Sequence, residues 1–311
     1  MARIDISLPA GVPRAVTSTG SLTFIGNATV LFEIGGFTFL TDPNFIHRHE
    51  KVPLGHGLQA TRLTDPAIEL ADLPPLDFVL LSHFHGDHFD QVAERDLDKD
   101  LLILTTPEAA EELQSRGFRN VHGLPTWETA ELKTDERLLN ICSVPGMHGP
   151  PIVNFALPDV MGSVLELKTL TDASELRLYI TGDTLPIDEL EEIPRRMGDI
   201  DLALLHLGGT RVLGITVSMD DEQGVRLIDL VEPQMAIPIH YDDYDVFKSP
   251  LSDFRRRVVD AGLEEKVRYV ERGERFEFGL PWQVAPVPKA QRGDDIEYEG
   301  ESGEEDEDQL R

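Results

Sequence analysis

The chain has 311 residues, 41% of them hydrophobic, which is enough to build a well-packed core. Its formal net charge of −29 repels polyanions and argues against a nuclease or an extended nucleic-acid interface. We find no apolar run long enough to cross a bilayer and no secretory signal at the start, so a cytoplasmic protein without a membrane span is expected.

The first part of the chain is predicted to be mainly strands. Residues 21–42 (SLTFIGNATVLFEIGGFTFLTD) are rich in β-branched and aromatic residues. Gly-Asn and Gly-Gly pairs interrupt the segment at turn positions, which predicts consecutive hairpin strands. The apolar segment 77–83 (DFVLLSH) predicts a buried strand that brings its last residues to a site at the sheet edge. Residues 106–117 (TPEAAEELQSRG) start with Thr-Pro and end with Gly, which predicts a helix.

Strands and helices are both predicted in the second part. Four apolar segments predict strands: LLNICSVPG, GSVLELKT, LRLYITGD and DLALLHLGG. After them, SMDDEQGVRLIDLVEP predicts a helix, AIPIHYDD a buried strand, PLSDFRRRVVDAG a last helix and VRYVERGERFEF a closing hairpin. This order of elements predicts an α/β protein in which packed sheets are covered by helices.

Domain organisation is expected to be simple. Residues 1–288 are predicted to form one catalytic domain. Residues 289–311 are rich in Asp, Glu and Gly and cannot bury enough apolar surface to fold, so they are predicted to be an acidic disordered tail. The single cysteine, Cys142, excludes a disulfide within the chain and a thiolate cluster, so imidazole and carboxylate groups must bind any metal.

The clearest chemical pattern is the segment SHFHGDHFD, which directly follows the predicted strand 77–83. In such a loop, His83 and His85 can face one point while Asp87 and His88 turn toward a neighbouring point. A catalytic divalent metal needs several protein ligands and one position for water. Two metals that share one water lower its pKa further and can contact both the attacking and the leaving oxygen.

This pattern resembles the HxHxDH motif of the metallo-β-lactamase superfamily. Later ligands in that superfamily are a His after a strand, an Asp at a strand end and a His at the end of a late strand. VPGMHGP, YITGDT and IPIHYDD offer His148, Asp183 and His240 in that order. With GNATVLFEIGG and TDP near the N-terminus, the resemblance covers about residues 20–280 and implies a four-layer αββα sandwich.

The resemblance also implies two sets of metal ligands and a bridging carboxylate. The first set is His83, His85 and His148, the second is Asp87, His88 and His240, and Asp183 bridges them. The expected cofactors are two divalent metal ions, Zn²⁺ in first place and Mn²⁺ or Fe as alternatives. Asp87 is also expected to act as a catalytic residue that passes a proton to the leaving group.

Within the superfamily, TDP and the SMDDEQ helix resemble the lactonase and N-acylphosphatidylethanolamine phospholipase D-like group. That group often has a His where this chain has Asn27. Five further residues are candidates for contacts behind the ligands or with substrate: Asp42, His206, Arg211, Tyr241 and Lys248. Asp42 is expected either to accept the free N–H of a ligand imidazole or to form an Asx turn before proline.

The expected function is hydrolysis of an ester, lactone or phosphodiester of a small molecule by a hydroxide held between two metals. An iron-dependent oxidoreductase on the same fold is the alternative, although diiron versions usually place a carboxylate where His85 stands. A non-catalytic binding protein is the third possibility. The predicted partner is a small-molecule substrate, not nucleic acid, and association into a homo-oligomer is left open.

Overall fold

The computed structural model describes residues 3–6, 8, 17–55, 57–154, 157–212, 214–288 and 291. The tail predicted at 289–311 therefore lies outside the described residues, apart from Gln291. Among the described residues, no helix is both long enough and apolar enough to cross a membrane.

Eighteen strands and six α-helices are described. The strands are β1 (Arg3–Ile6), β2 (Thr19–Gly26), β3 (Thr29–Ile34), β4 (Phe37–Thr41), β5 (Lys51–Pro53), β6 (Gln59–Thr61), β7 (Phe78–Leu80), β8 (Leu102–Thr105), β9 (Val121–Gly123), β10 (Thr129–Lys133), β11 (Arg137–Val144), β12 (Gly162–Thr169), β13 (Ser174–Ile180), β14 (Leu202–His206), β15 (Arg211–Val212), β16 (Ile215–Thr216), β17 (Met235–Ile239) and β18 (Arg275–Gly279). The helices are α1 (Gln91–Asp96), α2 (Pro107–Ser115), α3 (Pro151–Asn154), α4 (Glu192–Met197), α5 (Asp221–Val231) and α6 (Leu251–Asp260).

Two seven-stranded sheets form the centre of the molecule. The first sheet has the strand order β18-β2-β3-β4-β7-β8-β9, and the second has the order β1-β10-β11-β12-β13-β14-β17. In the first sheet, the antiparallel pairs from β18 to β4 give way to the parallel pairs β4-β7-β8-β9. In the second sheet, the antiparallel pairs from β10 to β13 lie between the parallel pair β1-β10 and the parallel pairs β13-β14-β17. The inner faces of both sheets supply one large apolar core, and alternate residues of the strands face outward to the helices.

Helices cover the outer face of each sheet. Ala109 and Leu113 of α2 pack on the first sheet, whereas Leu227 of α5 and Phe254 of α6 pack on the second. The N-terminus of α5 lies where its sequence has a capping pattern: Asp220 caps the helix in a capping box with Gln223. The result is the predicted four-layer αββα sandwich, which is confirmed.

Phe39 lies at the centre of the inner core, and its replacement by alanine is the first test of the fold. Its fully buried ring stacks on Phe32 and on Phe78, each at a centroid distance of 4.7 Å. Phe39→Ala is expected to lower the free energy of unfolding by about 3–5 kcal/mol, because it removes apolar contacts and leaves a cavity. Urea denaturation measures the change. Leu170→Ala, at a site 47% exposed, is the control and should stay within about 0.5 kcal/mol of the parent.

The strands and helices predicted from the sequence are present, with one correction. VRYVERGERFEF does not form a closing hairpin, because β18 pairs antiparallel with β2. The segment before it makes only an isolated parallel bridge, Val267 to Ala236. Its side chains explain why: Tyr269 packs in the core under α5 and α6, while Val270 packs in the core between the sheets. Cys142 is buried in β11.

Candidate metal centre

The candidate site lies where parallel strands of both sheets end. His83 comes three residues after β7, Asp183 three residues after β13, and His240 directly after β17. Because the carboxyl ends of parallel strands share one edge of a sheet, residues far apart in sequence meet there. The structure thus brings together all seven residues that were predicted as metal ligands, and it does so around the HxHxDH loop.

The first group consists of three imidazoles, those of His83, His85 and His148. His85 Nδ1 lies 3.1 Å from His83 Nε2 and 3.1 Å from His148 Nε2. Burial is the main cause that lowers the pKa of each ring, and it lowers that of His85 to about 3. The three rings are therefore neutral, which is the protonation state that a metal ligand requires.

Hydrogen bonds on the far side of these rings orient them. His148 Nδ1 donates to the Val217 carbonyl oxygen at 2.7 Å, which leaves the lone pair of Nε2 facing the other two rings. His83 Nδ1 lies 2.9 Å from Ser82 Oγ, and that hydroxyl lies 2.9 Å from Asp42 Oδ2. Ser82 can thus accept from His83 and donate to Asp42.

The second group consists of Asp87, His88 and His240, all buried. Asp87 Oδ2 lies 3.8 Å from His88 Nε2 and 3.5 Å from His240 Nε2. The Nδ1 atoms of both imidazoles already have hydrogen-bond partners: His88 Nδ1 is 3.0 Å from Asp42 Oδ2, and His240 Nδ1 is 3.1 Å from the Leu207 carbonyl oxygen. Both Nε2 atoms therefore face inward with a free lone pair when the rings are neutral.

Asp183 lies between the two groups. Its Oδ2 is 3.5 Å from His88 Nε2, and it clusters with His83 and His88 within the distance that one cation can span. Burial raises the pKa of Asp183, but His240 and His88 lower it more strongly, so the net pKa is well below its usual range. The pKa of His88 is raised well above its usual range, because Asp183, Asp87 and Asp42 outweigh the effect of burial.

Two observations show that this donor set fits metal cations. Four inward-facing buried atoms have no hydrogen-bond partner among the described residues: Asp87 Oδ1, His88 Nε2, Asp183 Oδ1 and His240 Nε2. Such atoms are costly to bury unless they are bound. In addition, three buried carboxylates lie in or directly behind the cluster, and bound cations would balance their charge.

Asp42 takes the place behind the ligands that was one of its two predicted roles. Its Oδ1 accepts from the Ser82 backbone N–H at 2.7 Å, and its Oδ2 contacts His88 at 3.0 Å and His206 at 3.3 Å. Burial raises the pKa of Asp42, but the charges and hydrogen bonds of these two histidines lower it to about 2. Asp42 stays ionised and fixes the His88 ring, and His206 lies behind the ligands as a partner of Asp42.

The other three candidates lie elsewhere. Tyr241 is 8% exposed and packs in the inner core at 6.1 Å from the Phe24 ring, a placement that argues against contact with substrate. Arg211 is exposed in the β15–β16 hairpin. Lys248 is exposed, and its Nζ donates to the Asp245 carbonyl at 2.8 Å. The role of Arg211 and Lys248 toward an anionic substrate stays a prediction.

A cavity of about 360 Å³ adjoins the first group, with His85 in its lining. Its walls are mainly apolar, with Phe84, Phe89 and Pro53, and its acidic residues include Glu94 and Glu112. The β5–β6 hairpin packs closely here: a side chain at Gly86 would come within 2.5 Å of the Pro53 carbonyl oxygen. This explains why a glycine separates two ligands in the motif.

Comparisons with known proteins agree with this architecture. Residues 38–241 match the family described as the beta-lactamase superfamily domain. The chain is 26% identical over 257 residues to a UPF0173 metal-dependent hydrolase of Methanopyrus kandleri, covering 82% of this chain and 99% of that protein. It is similar in structure to isothiocyanate hydrolase from Delia radicum gut bacteria, with a TM-score of 0.70 and 24% identity over 83% of this chain and 99% of the other.

A protein of different chemistry shares the fold at a greater distance. CmlA, a diiron β-hydroxylase from Streptomyces venezuelae, matches with a TM-score of 0.59 and 17% identity over 84% of this chain and 54% of its own. The family match contains all seven predicted ligands, and the relatives are named metal-dependent hydrolases. The chain belongs to the beta-lactamase superfamily domain family and is a metal-dependent hydrolase of the metallo-β-lactamase fold.

Proposed function

We propose that the chain hydrolyses an ester, lactone or phosphodiester of a small molecule, with two divalent cations, preferably Zn²⁺, bound between the two groups. The observation that carries this proposal is the set of four unpartnered ligand atoms, three in the second group and one on Asp183 between the groups. Bound there, the cations would lower the pKa of a shared water and stabilise the charge that develops on the substrate.

Each part of the site has its own task in this proposal. His83, His85 and His148 hold one cation, Asp87, His88 and His240 hold the other, and Asp183 contacts both. Asp87 has a second task, because a carboxylate beside the reacting atoms can pass a proton to the leaving group. Burial raises the pKa of Asp87, but His88 and His240 lower it to about 2, so the carboxylate is ionised and would first have to accept the proton of the attacking water before passing it on.

An iron-dependent oxidoreductase is the alternative, and the likeness to the diiron β-hydroxylase supports it only at the level of the fold. The neutral first group favours hydrolysis, because all three of its ligands are imidazoles and none is a carboxylate. Metal analysis of protein purified without added metal separates the two. Zinc or manganese in a colourless sample agrees with hydrolysis, whereas a coloured, iron-loaded sample favours redox chemistry.

Among the candidate substrates, neutral esters and lactones are expected to be better than phosphodiesters. The cavity beside His85 is mainly apolar, Glu94 and Glu112 in its lining form ion pairs with Arg116, which also lines it, and the net charge of −29 repels anions. With metal-reconstituted enzyme, kcat/KM should be at least about 10-fold higher for a neutral ester than for a phosphodiester of matched leaving group and size, which corresponds to about 1.4 kcal/mol.

A substrate screen with metal-reconstituted enzyme tests this preference. It includes lactones, esters, thioesters and phosphodiesters, each assayed at low and at high KCl. Because salt screens exposed charges, any phosphodiester activity should rise relative to ester activity at high salt. A phosphodiester that is cleaved faster than every neutral substrate at low salt would contradict this preference without touching the metal assignment. No turnover of any class by fully loaded enzyme would contradict the proposed hydrolysis itself.

A further inference from the structure

One residue outside the ligand set contacts both ligand-bearing segments of the second group. Asn27 is fully buried in the turn between β2 and β3. Its side-chain Nδ2 donates to the Asp87 carbonyl oxygen at 2.6 Å. Its own carbonyl oxygen accepts from the His240 backbone N–H at 2.8 Å. The backbones of two ligands that are far apart in sequence are therefore tied to the same residue.

The orientation of the Asn27 amide follows from this geometry. A backbone carbonyl can only accept, so the group that faces the Asp87 oxygen must be the NH₂ of the amide. An aspartate of the same shape would place an acceptor against an acceptor. The contact thus depends on amide chemistry and not only on the volume of the side chain.

Asn27 is in turn held by a buried carboxylate. The Asn27 backbone N–H donates to Asp243 Oδ2 at 2.8 Å, and Asp243 is fully buried. The other oxygen of Asp243 accepts from Thr64 Oγ1 and lies 3.0 Å from Arg272 Nε. The fully buried Arg62 lies 3.7 Å away. With its charge balanced and its oxygens bonded, Asp243 has a single well-defined position.

The local backbone needs such support. Asn27 (φ 53°), His240 (φ 60°) and Asp242 (φ 57°) all have left-handed conformations that residues with side chains rarely adopt. Strained conformations of this kind persist only where the surrounding contacts determine them. Here the contacts from Asn27 and Asp243 link these segments to the turn between β2 and β3.

We propose that Asn27, held by Asp243, is a positioning residue for the second metal: it sets the backbones of Asp87 and His240 so that their side chains meet His88 at one point. This inference rests on the proposed function, because it assigns a device to the same site. Asn27 acts on the site only through the backbones of Asp87 and His240. Loss of its side chain should therefore lower the metal affinity of the second group and leave that of the three-imidazole group unchanged.

The test is a zinc titration of metal-free protein against a chromophoric chelator, which reports two dissociation constants. Asn27→Gly is the informative variant, because glycine adopts φ 53° without strain and keeps both backbone contacts while the NH₂ donor is lost. One of its two zinc ions should dissociate roughly 10- to 100-fold more readily, as for other partners behind metal ligands, with the dissociation constant of the other unchanged. Asn27→Asp should weaken the same site further.

A control separates positioning from general destabilisation. Val258→Ala shortens a buried side chain of α6 in the core beneath that helix, so it should lower Tm and leave both dissociation constants unchanged. If wild-type protein binds two zinc ions and Asn27→Gly binds them equally well, or weakens both sites alike, the inference is wrong and the proposed function stands. If wild-type protein does not bind two ions, the proposed function itself fails.

Discussion

Protein stripped of metal with a chelator is expected to unfold about 10 °C below the zinc-loaded form and to have no hydrolytic activity. The buried carboxylates of Asp42, Asp87 and Asp183 lose their compensating charge when the cations leave. Free metal at about 1,000 times its Kd stabilises a folded protein by about 4 kcal/mol, and each kcal/mol shifts Tm by about 2–4 °C in a protein of 150–250 residues. Calorimetry of both forms measures the shift.

Added Zn²⁺ or Mn²⁺ should restore both Tm and turnover. The control is protein treated with chelator that has been saturated with zinc beforehand, which should behave as the untreated protein does. Retention of full activity by protein shown by elemental analysis to contain almost no metal would refute metal-dependent hydrolysis at this site. An unchanged Tm would show that the carboxylates are balanced in some other way.

That the seven candidate ligands lie together was predictable because most of them carry a local signal. His83 and His85 stand in a dense motif after an apolar strand, and Asp183 and His240 each follow one of the buried strands. The expectation that these side chains meet came from the resemblance to the metallo-β-lactamase superfamily, and parallel strands that end at a common edge explain why they do. That they bind two metals in the way proposed stays a prediction until metal is measured.

The support behind the ligands was less accessible to sequence reasoning. Asp42 was expected to have one of two roles, and the choice depends on where His88 turns, which the motif does not specify. Ser82 was missed, although a polar residue directly before His83 was a usable signal. Asp243 lies in the polar segment that follows His240, and nothing in that segment singles it out. Its bond to Asn27 joins residues 216 positions apart and needs the β2–β3 turn to be placed against the end of β17.

For Tyr241 and for the predicted closing hairpin, the local sequence indicated an arrangement that differs from the structure. Tyr241 is next to His240 in sequence, but its ring packs in the inner core beside Phe24. The left-handed backbone of His240 (φ 60°) separates the directions of the two side chains. VRYVERGERFEF has the composition of a hairpin. Its last part instead forms β18, which pairs with β2 at the edge of the first sheet, and no local pattern indicates this pairing.

Asp183→Asn and His85→Ala are expected to lower kcat/KM on the order of 1,000-fold or more. Asparagine keeps the shape of Asp183 but lacks the charge and the second oxygen that contact with two cations requires. His85→Ala removes the imidazole whose Nδ1 lies 3.1 Å from both neighbouring rings. Loss of a metal that stabilises developing charge removes several kcal/mol from the transition state, which gives a change of this order. Steady-state kinetics at saturating zinc measure it.

The two variants should differ in how they bind metal, and this difference identifies their places in the site. His85→Ala is expected to lose one equivalent of zinc and keep the other, because the second group does not contain His85. Asp183→Asn should weaken both, since its carboxylate lies between the groups. Asp172→Asn, which removes an exposed carboxylate whose backbone has φ 68°, is the matched control and should keep two equivalents and full activity. Full activity in His85→Ala or Asp183→Asn would contradict the assignment, because the enzyme would then hydrolyse substrate without a residue that the proposed metal site requires.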